Sequence, residues 1–330
     1  MIRTIALEEH VVFPELSKKV ILESGTPSNR SSGSVANLSD QLADVTGERL
    51  AAMDAAGIST QVLSVVGPGA NLLHGDAAVR IALEYNDTLA KKIGSYPDRF
   101  AAFAHLPTTE PNAAANGLER AVKIHHFCGA MINGMTDNKF LDAPEFAPIL
   151  ERAQQLDVPV YLHPGLPPEQ VVKAYYSDLP KESGERLSVA GWGWHSETAI
   201  HVLRLIISGT FDKYPNLKLI IGHMGEMLPM MMARCDTMFK PGEAGVNQRS
   251  ISQTLKDQVF ITTSGIFTTP PFQIALETFG IDRILFSVDY PFATNDSGRQ
   301  FLDNLHLSDN DMEKLCWRNA AQLLKLPTGE

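Results

Sequence analysis

The sequence predicts an α/β fold of the (β/α)8 barrel type, on three observations. Eight short apolar runs recur along the chain, helix-like segments separate them, and ionisable residues stand where the runs end. The runs fall at residues 2–7, 60–66, 100–105, 129–133, 159–162, 218–221, 259–263 and 283–288. They are mostly continuous and partly β-branched or aromatic, as strands covered on both faces of a parallel sheet are. A doubly wound open sheet is the alternative. It calls for a Gly-rich turn after the first strand, whereas here that strand runs into Glu8-Glu9-His10.

Helical periodicity accounts for the segments between the strands: residues 47–56, 77–95, 112–124, 145–155, 196–213, 228–239, 272–279 and the closing 309–326. In 196–213 the residues Ile200, Leu203, Ile207 and Phe211 form one apolar stripe, and Ser196-Glu197-Thr198 offers a cap. Two stretches break the alternation. Residues 24–40 are rich in Ser, Gly and Asn, and 164–193 in Pro, Gly and charge. Loops of that length are usually lids or binding segments. The expectation is one domain over 1–330 with insertions at about 24–40 and 164–193, because barrels of about 250 residues or more fold as a unit.

Composition narrows the function. The chain has 28 Lys plus Arg against 38 Asp plus Glu, a formal charge of −10, which excludes a general binder of nucleic acid. The apolar runs break long before the ~18 residues of a membrane span, and the N-terminus lacks the apolar centre of a signal peptide. Cys128, Cys235 and Cys316 have no metal-type spacing and read as reduced thiols of a cytoplasmic protein.

In a barrel, residues at the C-terminal ends of the strands face one mouth. Glu8 and His10 end the first run and, two apart, share a face. His163 follows the fifth run, His223 the sixth and Asp289 the eighth. Imidazole and carboxylate donors with open positions suit one Zn²⁺ or Mn²⁺ ion; a structural ion-pair network is the competing account of the carboxylates. His105 could line the mouth or form part of an ordinary turn. His125 and His126 read as structural, and His74, His201 and His306 as surface residues. The methionines at 227, 230, 231 and 232 read as core or interface packing.

The motifs Ala6-Leu7-Glu8-Glu9-His10, His163-Pro164, Gly222-His223-Met224-Gly225-Glu226 and Phe286-Ser287-Val288-Asp289-Tyr290-Pro291-Phe292 resemble those of the amidohydrolase superfamily. More narrowly, the chain is similar to the metal-dependent, non-oxidative aromatic-acid decarboxylases of the gamma-resorcylate type. The Glu8-x-His10 motif, in place of His-x-His, matches that group rather than many hydrolases. The resemblance implies a metal held by Glu8, His10, His163 and Asp289, with His223 beside it and Glu226 pairing with His223. It implies Asp289 as the proton donor to the ring, kept protonated by His223 and Glu226. Arg234 and Asn133 match substrate-contacting positions, Arg234 across a subunit interface of a homodimer or homotetramer. Trp194 and Phe292, with Trp192 and Tyr290, are candidates for packing an aromatic ring. The activity so implied is a carboxy-lyase acting on an o-hydroxybenzoate. A metal-dependent hydrolase of an amide, ester or lactone is the alternative, and a metal-binding barrel without turnover is a third.

Overall fold

In a computed structural model, which describes residues 2–25 and 38–327, the eight expected strand regions form a (β/α)8 barrel. Most of the 24–40 stretch lies outside the described residues. The strands are β1 (Ile5–Val11), β2 (Thr60–Val65), β3 (Phe100–Ala102), β4 (Ala104–His105), β5 (Ala130–Asn133), β6 (Val160–His163), β7 (Leu219–Ile221), β8 (Val259–Thr262) and β9 (Ile284–Leu285). Every pairing is parallel, in the orders β1-β2-β3 and β4-β5-β6-β7-β8-β9.

Two seams join those runs into a closed wall. β3 and β4 are one strand interrupted at Phe103, where the partner changes: Phe103 N–H donates to Leu63 O at 2.9 Å and Ala104 N–H to Gly129 O at 2.9 Å. At the other seam the backbone ladder between the end of the chain's last strand and β1 is largely replaced by side chains. His10 N–H donates to Tyr290 O at 2.8 Å and Glu8 N–H to Ser287 Oγ at 2.6 Å. The buried Glu9 carboxyl group, which burial pushes up to about 8, accepts from the N–H groups of Val288 (2.9 Å) and Tyr290 (3.0 Å), from Ser287 Oγ (3.2 Å) and from Gln61 Nε2 (3.3 Å). A buried carboxylate is stable only when such donors replace water.

The register of β1 shifts between Ala6 and Glu9, a bulge. It has a direct consequence for the site. Ile5 and Leu7 point into the barrel interior with Val62, Phe103, Met131, Tyr161, Ile220 and Leu285. A strand without a bulge would keep the odd positions inside; the bulge changes the parity, so Glu8 and His10 take over the inward face at the mouth. The helix Asn319–Leu324 closes the base of the interior with Ala320, Ala321, Leu323 and Leu324.

The helices cover the outside as their periodicity requires. Gly75–Ile93 buries Ala78, Ile81, Ala82, Tyr85, Leu89 and Ile93 on one stripe. Four expectations change. The 196–213 segment is two helices, Gly193–Ile207 and Thr210–Lys213, separated at Gly209. Its buried face carries Thr198, His201, Val202, Leu205 and Ile206, while Ile200 is exposed, so the stripe is rotated from the one read in the sequence. Ser196 does not cap it; its hydroxyl donates back to Gly193 O at 2.8 Å. The closing helix is interrupted by a π-helical turn at Lys314–Arg318. Helices Pro14–Ser24, Ser39–Ala43, Ile251–Gln258 and Asn295–Asn304 add to those expected. The 164–193 stretch holds the short helical pieces Glu169–Val171, Val172–Tyr176 and Ser183–Ser188. Among the described residues no helix is long and apolar enough to cross a membrane, and all three cysteines are free and buried.

Candidate metal centre and proton-handling group

Glu8, His10, His163 and Asp289 each offer one ligand atom, and these atoms all lie within 4.8 Å of one another. Two atoms bonded to one ion at ~2.2 Å can be at most about 4.4 Å apart, so the cluster is close to the spacing one ion needs. His10 Nε2 is 3.2 Å from Asp289 Oδ1, and His163 Nε2 is 3.3 Å from Glu8 Oε1. Glu8 Oε1 and His10 Nε2 are buried polar atoms that make no hydrogen bond among the described residues. Buried orphans of this kind call for a partner, and a divalent cation is a partner for a carboxylate oxygen and an imidazole lone pair together. The donor set therefore fits the ion that the sequence implied.

The surrounding residues orient these ligands. His163 Nδ1–H donates to Pro164 O at 2.8 Å, which leaves Nε2 as the lone-pair nitrogen. Ser64 Oγ stands 3.3 Å from His10 Nδ1. The Tyr161 hydroxyl donates to Glu8 Oε2, with Thr262 Oγ1 3.4 Å from the same oxygen. Gly222 is required here: a Cβ at that position would lie 2.6 Å from Glu8 Oε2. Burial pushes the Glu8 carboxyl up and takes His163 down to about 3, so His163 is neutral, as a ligand must be.

His223 lies beside the cluster, its Nε2 3.8 Å from both Glu8 Oε1 and Asp289 Oδ2. Its Nδ1–H donates to Glu226 Oε1 at 2.8 Å. The backbone between them brings this pair together: His223, Met224, Gly225, Glu226 and Met227 all have positive φ, between 48° and 84°. This is a left-handed turn, which costs non-glycine residues of order 1–3 kcal/mol each and persists only where its surroundings enforce it. Asp289 also has positive φ, at 75°. Left-handed backbone thus occurs at His223, Glu226 and Asp289, three of the polar residues brought together here.

The charge state of Asp289 reverses the expectation. Burial pushes its carboxyl up, but the neighbouring His10 and His223 outweigh burial and hold it at about 2. His223 does not keep Asp289 protonated; it keeps it ionised. Burial opposes charge on His223 as well, yet Glu226 and Glu8 raise it well above the ordinary imidazole range. The buried Glu226 is correspondingly lowered, His223 overcoming the effect of burial.

Of the residues expected to contact substrate, Phe292 is at the mouth, its ring centroid 5.6 Å from that of His10, and Trp194 packs edge-on to His163 at 6.3 Å. Trp194 Nε1 and Asn133 Nδ2 are buried without hydrogen bonds among the described residues. Asn133 pairs in register with His163. Trp192 is exposed, and Tyr290 turns away from the mouth to lie 4.7 Å under the Arg49 guanidinium. Arg234 is on the exposed side of helix Leu228–Met238, with Met230 and Met231, and makes no ion pair or hydrogen bond among the described residues. His201, read as a surface residue, is buried and accepts the Leu141 N–H at 2.7 Å; His105 is buried and accepts the Ala70 N–H at 3.0 Å.

Sequence reasoning missed His195. Its Nδ1 lies 2.6 Å from Glu226 Oε2 and its ring centroid 4.7 Å from that of His223. It follows no strand, so the strand-end rule could not find it; the flanking Trp192 and Trp194 were the available signal. Tyr161 and Glu9 were missed because they lie inside a strand that reads as core and beside a stronger candidate.

Comparison with known proteins agrees with this geometry. A family model described as amidohydrolase matches residues 33–326. Decarboxylase orsB of Emericella nidulans is 37% identical over 98% of this chain and 97% of its own. Gamma-resorcylate decarboxylase of Polaromonas sp. is 37% identical, with 98% of each chain covered. The crystal structure of dihydroxybenzoic acid decarboxylase from Polaromonas sp., with bound manganese and the inhibitor 2-nitroresorcinol, superimposes with a TM-score of 0.88 at 36% identity over 99% of this chain and 98% of that one.

Proposed function

The chain belongs to the amidohydrolase family, and from that premise we propose that it is a metal-dependent, non-oxidative decarboxylase of a hydroxylated aromatic acid of the o-hydroxybenzoate type. The observation that carries this reading is that His223 Nε2 stands 3.8 Å from Asp289 Oδ2, where Asp289 is also one of four converging ligand groups. A group that can move a proton therefore borders the place where an anionic substrate would be held.

Glu8, His10, His163 and Asp289 hold one divalent ion, Mn²⁺ as in the Polaromonas relative or Zn²⁺. When bound, that ion supplies positive charge that orients and neutralises an aromatic carboxylate and its ortho oxygen. The reaction breaks the bond between ring and carboxylate, leaves the electron pair on the ring carbon, releases CO₂ and adds one proton to that carbon. Asp289 is ionised in the resting protein, so it must be loaded before it can act as the acid. His223, held cationic by Glu226 and Glu8, is the group placed to load it. Phe292 and Trp194 pack the ring, and Asn133 binds a substrate oxygen.

We read residues 1–330 as one domain working in the cytoplasm, the three unpaired cysteines favouring a reducing compartment. Arg234 with Met230 and Met231 forms part of an interface in a homodimer or homotetramer, placing the guanidinium near a partner's mouth; a fully active monomer by light scattering would remove that assignment. The function is tested by offering 2,6-dihydroxybenzoate and other o-hydroxybenzoates to Mn²⁺-loaded and chelator-treated protein. CO₂ release that needs the metal is expected. Hydrolysis of esters or amides with no CO₂ from any hydroxybenzoate would replace this reading with the hydrolase one.

A further inference from the structure

Glu226 is completely buried, and both of its oxygens must be paired inside the protein. His223 pairs with one of them, Oε1, at 2.8 Å. The other, Oε2, is paired by His195 Nδ1 at 2.6 Å. The far nitrogen of the His195 ring, Nε2, lies 3.0 Å from Ala190 O. The ring is thus fixed at both ends, between a carbonyl of the 164–193 stretch and the carboxylate that orients His223. Two segments distant in sequence meet here: the junction of that stretch with the first turn of helix Gly193–Ile207, and the left-handed turn His223–Met227.

We propose that His195 is a positioning residue for proton transfer: it clamps Glu226 Oε2 so that Oε1 stays on His223 Nδ1 and His223 Nε2 stays aimed at Asp289. The inference rests on the proposed decarboxylase reading for its kinetic consequence but not for its geometry. The clamp has a physical necessity. Without a donor at Oε2, the buried carboxylate has one oxygen unpaired, and its cheapest response is to rotate or to take up a proton. Either response weakens its hold on Nδ1–H of His223. The left-handed turn offers no second donor, since no other hydrogen bond to a Glu226 oxygen is found among the described residues. Among the described residues no hydrogen bond, ion pair or ring contact joins His195 to the four ligand groups, so its loss should leave metal binding intact.

The test compares His195→Phe, which keeps an aromatic ring but no donor, with His195→Asn, whose amide N–H can reach the same oxygen. In the Mn²⁺-loaded enzyme His195→Phe should lower kcat about 10- to 100-fold, the usual worth of an outer hydrogen-bond partner, with KM and metal content near wild type. His195→Asn should recover most of the loss. A second readout does not depend on turnover. In Zn²⁺-loaded protein, which is diamagnetic, the downfield proton resonance of His223 Nδ1–H should shift or broaden in His195→Phe and return in His195→Asn. An unchanged resonance in His195→Phe overturns the clamp, as does wild-type kcat in that variant or an Asn variant no better than Phe. If wild-type protein releases no CO₂ from any hydroxybenzoate, the functional reading fails, and the resonance alone decides the clamp.

Discussion

His163 donates its Nδ1–H to the carbonyl of its own neighbour Pro164 at 2.8 Å, and this leaves its Nε2 lone pair 3.3 Å from Glu8 Oε1. A local backbone contact therefore selects the tautomer of a ligand on β6, while the residue it faces comes from β1. The ring needs no long-range partner to be ready for a metal.

Metal content should depend on the four clustered residues and not on their neighbours. His10→Ala and His163→Ala should each lower Mn²⁺ affinity by more than about 100-fold, since even outer partners are worth about 10–100-fold. Metal analysis after equilibrium dialysis checks this, with circular dichroism to confirm folding. Stoichiometric metal in both variants would show that the cluster is an ion-pair network.

His223→Asn separates binding from proton transfer. Bound metal should stay near wild type while decarboxylation falls by a factor on the order of 10²–10⁴, the worth of a positioned acid–base group. Metal lost in step with activity would make His223 a ligand, and full activity would end its role.

The seam closed by Glu9 should be a stability hot spot. Glu9→Leu leaves the N–H groups of Val288 and Tyr290 buried without acceptors, which should cost about 3–5 kcal/mol given roughly 1–3 kcal/mol for each unsatisfied group. Glu9→Gln retains one acceptor oxygen and should cost less. Urea unfolding measures both; equal stability of Leu and wild type would mean that the barrel is held shut elsewhere.

Burial holds His105 at about 4, and burial with the nearby Arg204 charge holds His201 at about 3. Both rings are neutral in the fold and titrate normally when unfolded. Their contribution is complete above the unfolded value near 6.5 and is lost as pH falls toward the folded values, by roughly 1.4 kcal/mol per pH unit for each ring. Melting temperature should therefore decline below about pH 6.5. A His201→Gln variant, whose side-chain oxygen can still accept the Leu141 N–H, should show a shallower decline; an identical slope would exclude His201.

The order of strands and the four ligand positions were legible because both depend on local pattern. Apolar runs mark strands, and polar residues at the ends of runs mark the mouth of a parallel barrel. Residues whose role depends on another segment were not legible. His195 acts only because helix Gly193–Ile207 lies against the His223 turn, and the bulge that turns Glu8 and His10 inward has no signature in the run 2–7. The charge on Asp289 was misread for the same reason: a carboxylate's proton affinity is set by what faces it, here two imidazoles from β1 and from the turn after β7. The sequence by itself determined which residue types stand at the ends of the strands. Tertiary structure alone decided their protonation, their partners and the exposure of Arg234, because electrostatics and hydrogen bonding act across space between segments that are far apart along the chain.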